Sequence, residues 1–143
     1  MNMKPSSILL LSALAAASPD GVEAGENISS IEQIGADQTA ETVQQGANPL
    51  NDARLRQSGA GNEASLTQDG AEIANRARID QDGVNNEATI VQTGAFTEND
   101  VEVTQFGTGA LNTATVNQGG VDNTNSAGVG QNGSNLVATV TQN

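Results

Sequence analysis

The stretch Gln57-Ser58-Gly59-Ala60-Gly61-Asn62-Glu63-Ala64-Ser65-Leu66-Thr67-Gln68 decides the fold, because its pattern recurs along most of the chain. Its last seven residues read Asn-x-Ala-x-aliphatic-x-Gln, and the seven that end on its first Gln, Asn51 to Gln57, read the same way. Asn, Ala, the aliphatic residue and Gln stand two apart, which is the period of a β-strand. They share one face, while Thr, Val, Glu, Asp, Arg and Ser dominate the other. A helix would scatter the four shared positions around its circumference.

Working outward, the closing Gln recurs ten times: Gln33, Gln44, Gln57, Gln68, Gln81, Gln92, Gln105, Gln118, Gln131 and Gln142. The intervals are 11 or 13 residues, and such self-similarity at about 24 residues marks a repeat architecture. Asn75–Gln81, Asn86–Gln92, Asn112–Gln118 and Asn125–Gln131 match the template fully. Asn27–Gln33 has Ser29 in the Ala slot, and Asn99–Gln105 has Val101 there. Gln38–Gln44 puts Gln in the Asn slot and Thr42 in the aliphatic slot; Leu136–Gln142 puts Leu in the Asn slot. A Gly two residues after most of the Gln predicts a sharp turn.

Alternating intervals make the unit a pair of strands. The spacing predicts five strand–turn–strand repeats near 27–50, 51–74, 75–98, 99–124 and 125–143, within a domain spanning 25–143. The predicted fold is all-β, a two-sheet parallel β-solenoid that stacks further into a cross-β fibre. In register and roughly 4.8 Å apart, equivalent amides bond the copies above and below, which satisfies buried Asn and Gln that would otherwise be costly. Units without distinct end units can keep stacking.

The outward positions test this stacking independently. One column reads Ile28, Asp52, Arg76, Asp100, Ser126 and another Glu32, Arg56, Asp80, Thr104, Gly130, both alternating in sign where charged. A third sets Arg78 beside Glu102 but also Arg54 beside Arg78, and Glu63 falls beside Glu87. Charges on strand surfaces restrain unwanted pairing. Asp52, Arg54, Arg56, Arg76, Arg78, Asp80, Asp100 and Glu102 are therefore candidate gatekeepers. The fifth repeat exposes no charge, which marks it as a fast-aggregating growth end.

The 143 residues include no Cys, His, Trp or Tyr, and only Phe96 and Phe106 as aromatics. Such a thin apolar core falls well short of the entropy of ordering the chain, so a lone molecule is expected to be marginal and a stack better off. Residues 1–24 read as a secretory signal peptide: Lys4, then an apolar run from Ile8 to Ala17, with cleavage after Ala17 or after Ala24. That run is too short to span a bilayer, and no other segment qualifies, so no membrane span is expected. Without Lys4, four Arg face 17 carboxylates, a net charge near −13 that argues against nucleic acid and acidic membranes as partners. The absence of Cys excludes disulfides and thiolate metal sites.

With neither His nor Cys, the usual triads and general bases are excluded, so no enzyme activity is expected. No cofactor or metal is expected either. Gly119-Gly120-Val121-Asp122 is only a fragment of a calcium-solenoid loop and reads as a turn. Thr113/Thr115 and Thr139/Thr141 suggest the Thr-x-Thr columns of an ice-binding face, broken elsewhere by Glu41, Glu63 and Glu87.

The run Gln-x-Gly-x-Gly-Asn-x-Ala-x3-Gln from Gln57 to Gln68 resembles the curlin repeat of bacterial curli subunits, and Gln81 to Gln92 departs from it only at the second Gly. The resemblance covers residues 27–142 and five repeats, the number typical of that family. It implies a secreted, self-assembling subunit of an extracellular, cell-surface amyloid fibre, a pilus-like element of biofilm matrix and adhesion in a bacterium with an outer membrane. It also implies a homopolymer, a nucleator subunit and an outer-membrane secretion pore as partners. The amyloid-core ladders would then be the ten Gln together with Asn27, Asn51, Asn62, Asn75, Asn86, Asn99, Asn112 and Asn125. Residues 18–26 are short and acidic where the family carries a Gly-rich leader, and Tyr is absent. The regular last repeat, uncharged apart from Asp122 in its leading loop, favours the major subunit. The alternatives are a minor nucleator and a monomeric β-solenoid adhesin or ice-binding module.

Overall fold

A computed structural model describes residues 27–46, 50–71, 74–95, 98–107, 111–121 and 124–143. The expected signal peptide and Asp122 lie outside the described residues. Ten strands follow one another: β1 (Ile28–Ala36), β2 (Thr39–Gln45), β3 (Leu50–Ala60), β4 (Glu63–Ala71), β5 (Ala74–Val84), β6 (Asn86–Ala95), β7 (Glu98–Gly107), β8 (Asn112–Gln118), β9 (Thr124–Asn132) and β10 (Val137–Gln142). No helix occurs among the described residues. Odd strands form one five-stranded sheet in the order β1-β3-β5-β7-β9, and even strands the other in the order β10-β8-β6-β4-β2. Every pairing is parallel, so the fold is the predicted two-sheet β-solenoid.

The template sets the register. Asn51 lies on Asn75, Ala53 on Ala77, Leu55 on Ile79 and Gln57 on Gln81, so like meets like in successive rungs. Between the sheets sit Ile31, Leu55, Leu66, Ile79, Ile90, Val101, Val103, Val116 and Val129 with Ala53, Ala64, Ala77, Ala88, Ala114 and Ala127, all buried, while Ala40 and Ala138 in the end rungs are partly buried. Val101 fills its Ala slot without penalty to burial at 1% exposure. The core is one residue deep on each side, and adding rungs lengthens it without thickening it.

The strands exceed the seven-residue template because pairing continues around the corner. Gly35, Gly59, Gly83 and Gly107 are paired in register inside β1, β3, β5 and β7. At Gly59 φ is +111°, and a Cβ there would run into the carbonyl oxygen of Gly83. Only glycine lets the two backbones approach so closely. Two residues on, Asp37, Asn85 and Asn135 adopt φ of 55°, 56° and 59°, and Gly61 adopts 65°. Asp and Asn accept this left-handed conformation better than other side chains. The corner therefore needs two special residues; the recurring Gly predicted the turn at the first, while the second appears in the sequence as a Gly only at Gly61.

One expectation is corrected by the register. Thr139 lies on Thr115, but Thr141 lies on Asn117 and Val137 on Thr113. The two Thr-x-Thr pairs are offset by two residues, because Ala138, Val140 and Gln142 align on Ala114, Val116 and Gln118. No Thr-x-Thr column forms there.

Candidate assembly surface: amide ladders and open end rungs

Each template Gln points inward at the end of its strand, where one side-chain amide can reach both the next rung and the opposite sheet. In the odd sheet Gln33 Nε2 donates to Gln57 Oε1 at 2.8 Å, Gln57 to Gln81 at 2.8 Å, Gln81 to Gln105 at 2.9 Å and Gln105 to Gln131 at 2.7 Å. In the even sheet Gln44 donates to Gln68 at 2.9 Å, Gln68 to Gln92 at 2.8 Å, Gln92 to Gln118 at 3.2 Å and Gln118 to Gln142 at 2.6 Å. The same Nε2 atoms also bond across the core: Gln57 to the Thr39 carbonyl at 2.9 Å, Gln81 to that of Glu63 at 3.0 Å, Gln92 to that of Arg76 at 2.9 Å. Gln33 apart, each Gln thus ties two rungs and two sheets.

The Asn rows run the other way. Asn75 Nδ2 donates to Asn51 Oδ1 at 3.0 Å, Asn99 to Asn75 at 2.9 Å and Asn125 to Asn99 at 3.1 Å. In the even sheet Asn86 donates to Asn62 at 3.2 Å and Asn112 to Asn86 at 3.0 Å. Gln rows therefore point their hydrogens toward the C-terminal rung and Asn rows toward the N-terminal rung. That opposition has no signature in the residue pattern.

The two end rungs leave this network incomplete. Gln44 Oε1, Thr42 Oγ1, Gln38 Oε1 and Asn27 Oδ1 are buried in the first rung without a partner among the described residues. Asn51 Nδ2 is likewise orphaned, so the Asn row is interrupted between Asn27 and Asn51. Gln33 and Gln44 donate but accept nothing among the described residues, of which β1 and β2 form the first rung. At the other end Gln131 and Gln142 each donate to a carbonyl of the opposite sheet, Thr113 at 3.1 Å and Ser126 at 3.1 Å, and among the described residues neither has a further Gln to donate to. Asn27, Gln33, Gln44, Asn125 and Gln142 are accordingly half-buried, while the ladder residues from Asn51 to Gln118 are buried.

Off-template slots behave differently from their equivalents. Gln38 is one carbon longer than Asn; its Nε2 reaches the Ile34 carbonyl at 3.1 Å and that of Gly59 at 3.3 Å, where Asn62 reaches Ser58 and Gly83. Leu136 cannot continue the Asn row, and Asn112 Oδ1 accepts its backbone N–H at 3.2 Å instead.

Outside, Asp52, Arg54, Arg56, Arg76, Arg78, Asp80, Asp100 and Glu102 all lie on the outer face of the odd sheet, exposed or half-buried. Arg56 pairs with Glu32 below at 3.9 Å and Asp80 above at 3.1 Å, following the alternating column. Arg78 reaches Asp80 at 3.4 Å and Glu102 at 4.0 Å. Two pairs differ from the columns read in the sequence. Arg54, whose neighbour above is Arg78, turns back to Asp52 in its own strand at 3.0 Å, and Arg76 bonds Glu98 at 3.0 Å rather than Asp52 or Asp100. Like charge in the Arg54–Arg78 column drives the first; the second needs the side-chain reach of Glu98, which no column of the template contains. Such exposed pairs are worth at most about 1 kcal/mol each.

Two parallel sheets joined by rows of side-chain amides make this a repeat β-solenoid. Residues 74–107, from β5 through β7, match the curlin associated repeat. The chain therefore carries that repeat, and the match supports its assignment to the curlin-repeat family. No curated protein and no solved structure matches the chain.

Proposed function

We propose that this protein is a secreted structural subunit that self-assembles head to tail into extracellular, curli-like amyloid fibres serving biofilm matrix and adhesion, in the major-subunit role. The observation that carries the reading is the complementary incompleteness of the end rungs. Gln131 and Gln142 offer N–H groups at the C-terminal end, and Gln33 and Gln44 offer unsatisfied oxygens at the N-terminal end. Asn125 Oδ1 and the Asn27 amide offer the reverse pairing. A second copy whose first rung continues the stack extends both Gln rows and the odd-sheet Asn row, each in its own sense, while the even-sheet Asn row stays broken at Leu136 and Gln38. A heterologous contact of this kind does not close and yields a filament.

On this reading the ten Gln and eight Asn of the rows are the amyloid-core ladder. The eight outward charges on the odd sheet are gatekeepers that restrain the middle repeats. Residues 1–24 are a signal peptide, and export uses an outer-membrane pore with a separate nucleator starting growth. The role is structural rather than catalytic. The test is thioflavin fluorescence and fibre diffraction on purified residues 25–143 at neutral pH. Growth that seeds itself and a reflection near about 4.8 Å support the proposal. A compact species that stays monomeric and cannot be seeded ends it.

A further inference from the structure

The two outer faces of the solenoid carry different charge at the same height. On β3 and β5 the outward residues include Arg54, Arg56, Arg76 and Arg78 against Asp52, Asp80 and Asp82, a cationic band of four to three within a face that also carries Glu32 on β1 and Glu98, Asp100 and Glu102 on β7. These are all the Arg of the chain, and their side chains are 47–67% exposed despite their ion pairs. On β4 and β6, the strands that follow them, the outward charges are Glu63, Asp69 and Glu87 with no cation. Glu63 and Glu87 are direct neighbours in register and no ion pair reaches either among the described residues. Like charges directly opposed across a strand pair destabilise the sheet that holds them, so this column gains from a cation supplied from outside.

Position along the strands also agrees. Gln81 bonds the Glu63 carbonyl, so the start of each even strand lies against the end of an odd one. Glu63 and Glu87 therefore sit at the same end of the molecule as Arg56, with Arg54 and Arg78 one column further in. A recess of about 400 Å³ opens on the odd face, lined by Arg54, Arg76 and Arg78 and by Asp52, Asp100 and Glu102, large enough to take side chains from a facing sheet.

We propose that the outer face of the odd sheet docks onto the outer face of the even sheet of a second copy lying alongside. Translation sideways without rotation sets the Arg-bearing strands opposite the carboxylate-bearing ones. In a fibre the match repeats with every subunit, so neighbouring fibres bundle in parallel. This rests on the fibre reading above, and extends it from growth along the axis to association across it.

The test uses fibres grown from the full chain and separates elongation (thioflavin kinetics) from bundling (fibre width by electron microscopy and turbidity). Raising ionic strength to about 1 M, where the screening length falls to about 3 Å, is expected to release single fibres without dissolving them. The informative variant is Glu63→Gln/Glu87→Gln, which removes a repulsive pair and leaves the ladders intact. Lower net charge ordinarily increases association, so general colloidal behaviour predicts wider bundles, whereas face-to-face docking predicts narrower ones. Arg54→Gln/Arg78→Gln should narrow them as well, while its elongation, read separately, is equal or faster because both Arg are gatekeepers on the fibre reading. Bundles equal or wider in both variants, or a parent that grows only single fibres at low salt, overturn the proposal. Absence of fibres altogether sinks the underlying assembly reading, a result the kinetics report separately.

Discussion

Gln57 Nε2 lies 2.8 Å from Gln81 Oε1 and 2.9 Å from the Thr39 carbonyl, so one buried amide joins its own strand to the rung above and to the facing sheet below. Both Gln are fully buried at 0% exposure. The bond is the repeating joint of the solenoid, and breaking it strands atoms in two rungs at once.

Gln81→Ala is therefore expected to cost about 3 kcal/mol or more, since it orphans the Gln57 amide, the Gln105 oxygen and the Glu63 carbonyl, each at about 1–3 kcal/mol. Ser65→Ala, on the outer face and away from the ladders, should cost less than about 0.5 kcal/mol. Denaturant titration of assembled material compares the two. Equal midpoints would remove the argument for buried ladders.

The corner offers a sharper contrast between two glycines. Gly59→Ala places a Cβ against the Gly83 carbonyl at a positive φ and should abolish ordered assembly. Gly128→Ala, where an added Cβ meets nothing within 4 Å, should leave assembly unchanged or slightly favoured. Circular dichroism and thioflavin fluorescence decide it.

Ile79 fills the centre of the middle rung at 0% exposure. Truncation to Ala should cost about 2–5 kcal/mol, as large-to-small changes in tight cores do. Val140→Ala in the last rung, only partly buried, is expected at the low end or below. A denaturation series on both variants measures the difference.

Thr42 occupies an aliphatic slot opposite Leu66, and its hydroxyl is buried with no partner. Thr42→Val should stabilise the N-terminal rung by about 1 kcal/mol, the lower range for burying an unpaired hydroxyl. Faster elongation from preformed seeds is the expected readout. A slower rate would mean that the hydroxyl is used at the joint between copies.

Peptides separate the restrained repeats from the unrestrained one. The outward residues Ser126, Gly128 and Gly130 on β9 are exposed and uncharged, whereas β5 exposes Arg76 and Arg78. Asn125–Asn143 is expected to form fibrils with a shorter lag than Asn75–Gln92. Equal or longer lag refutes the gatekeeper assignment.

How much of this was legible depends on what repeats. The inward template recurs at every strand, so strand number, parallel pairing and register follow from spacing alone: Gln57 could only lie on Gln81. Departures from the template were visible as letters, but their consequences were not. Thr42 and Gln38 look like tolerable substitutions until the rung is built and their oxygens are found without donors. Corner conformation was half visible: Gly59 announced itself by recurrence, while Asp37, Gly61, Asn85 and Asn135 share a backbone conformation rather than a residue type. The Arg76–Glu98 pair stayed hidden because Glu98 lies outside the template. Misalignment of the two Thr pairs shows the opposite hazard, in which a local likeness ignores the register that buried residues impose.

The opposed directions of the Gln and Asn rows have an electrical consequence. Side-chain amides are dipoles, and a file of them aligned one way would build a growing potential difference between the tips. In the second to fourth rungs two files of each sense share the axis and their moments largely offset. Gln38 and Leu136 leave one Gln file without its counterpart in the first and last rungs, so each added subunit contributes a small residual moment in the sense of the Gln files.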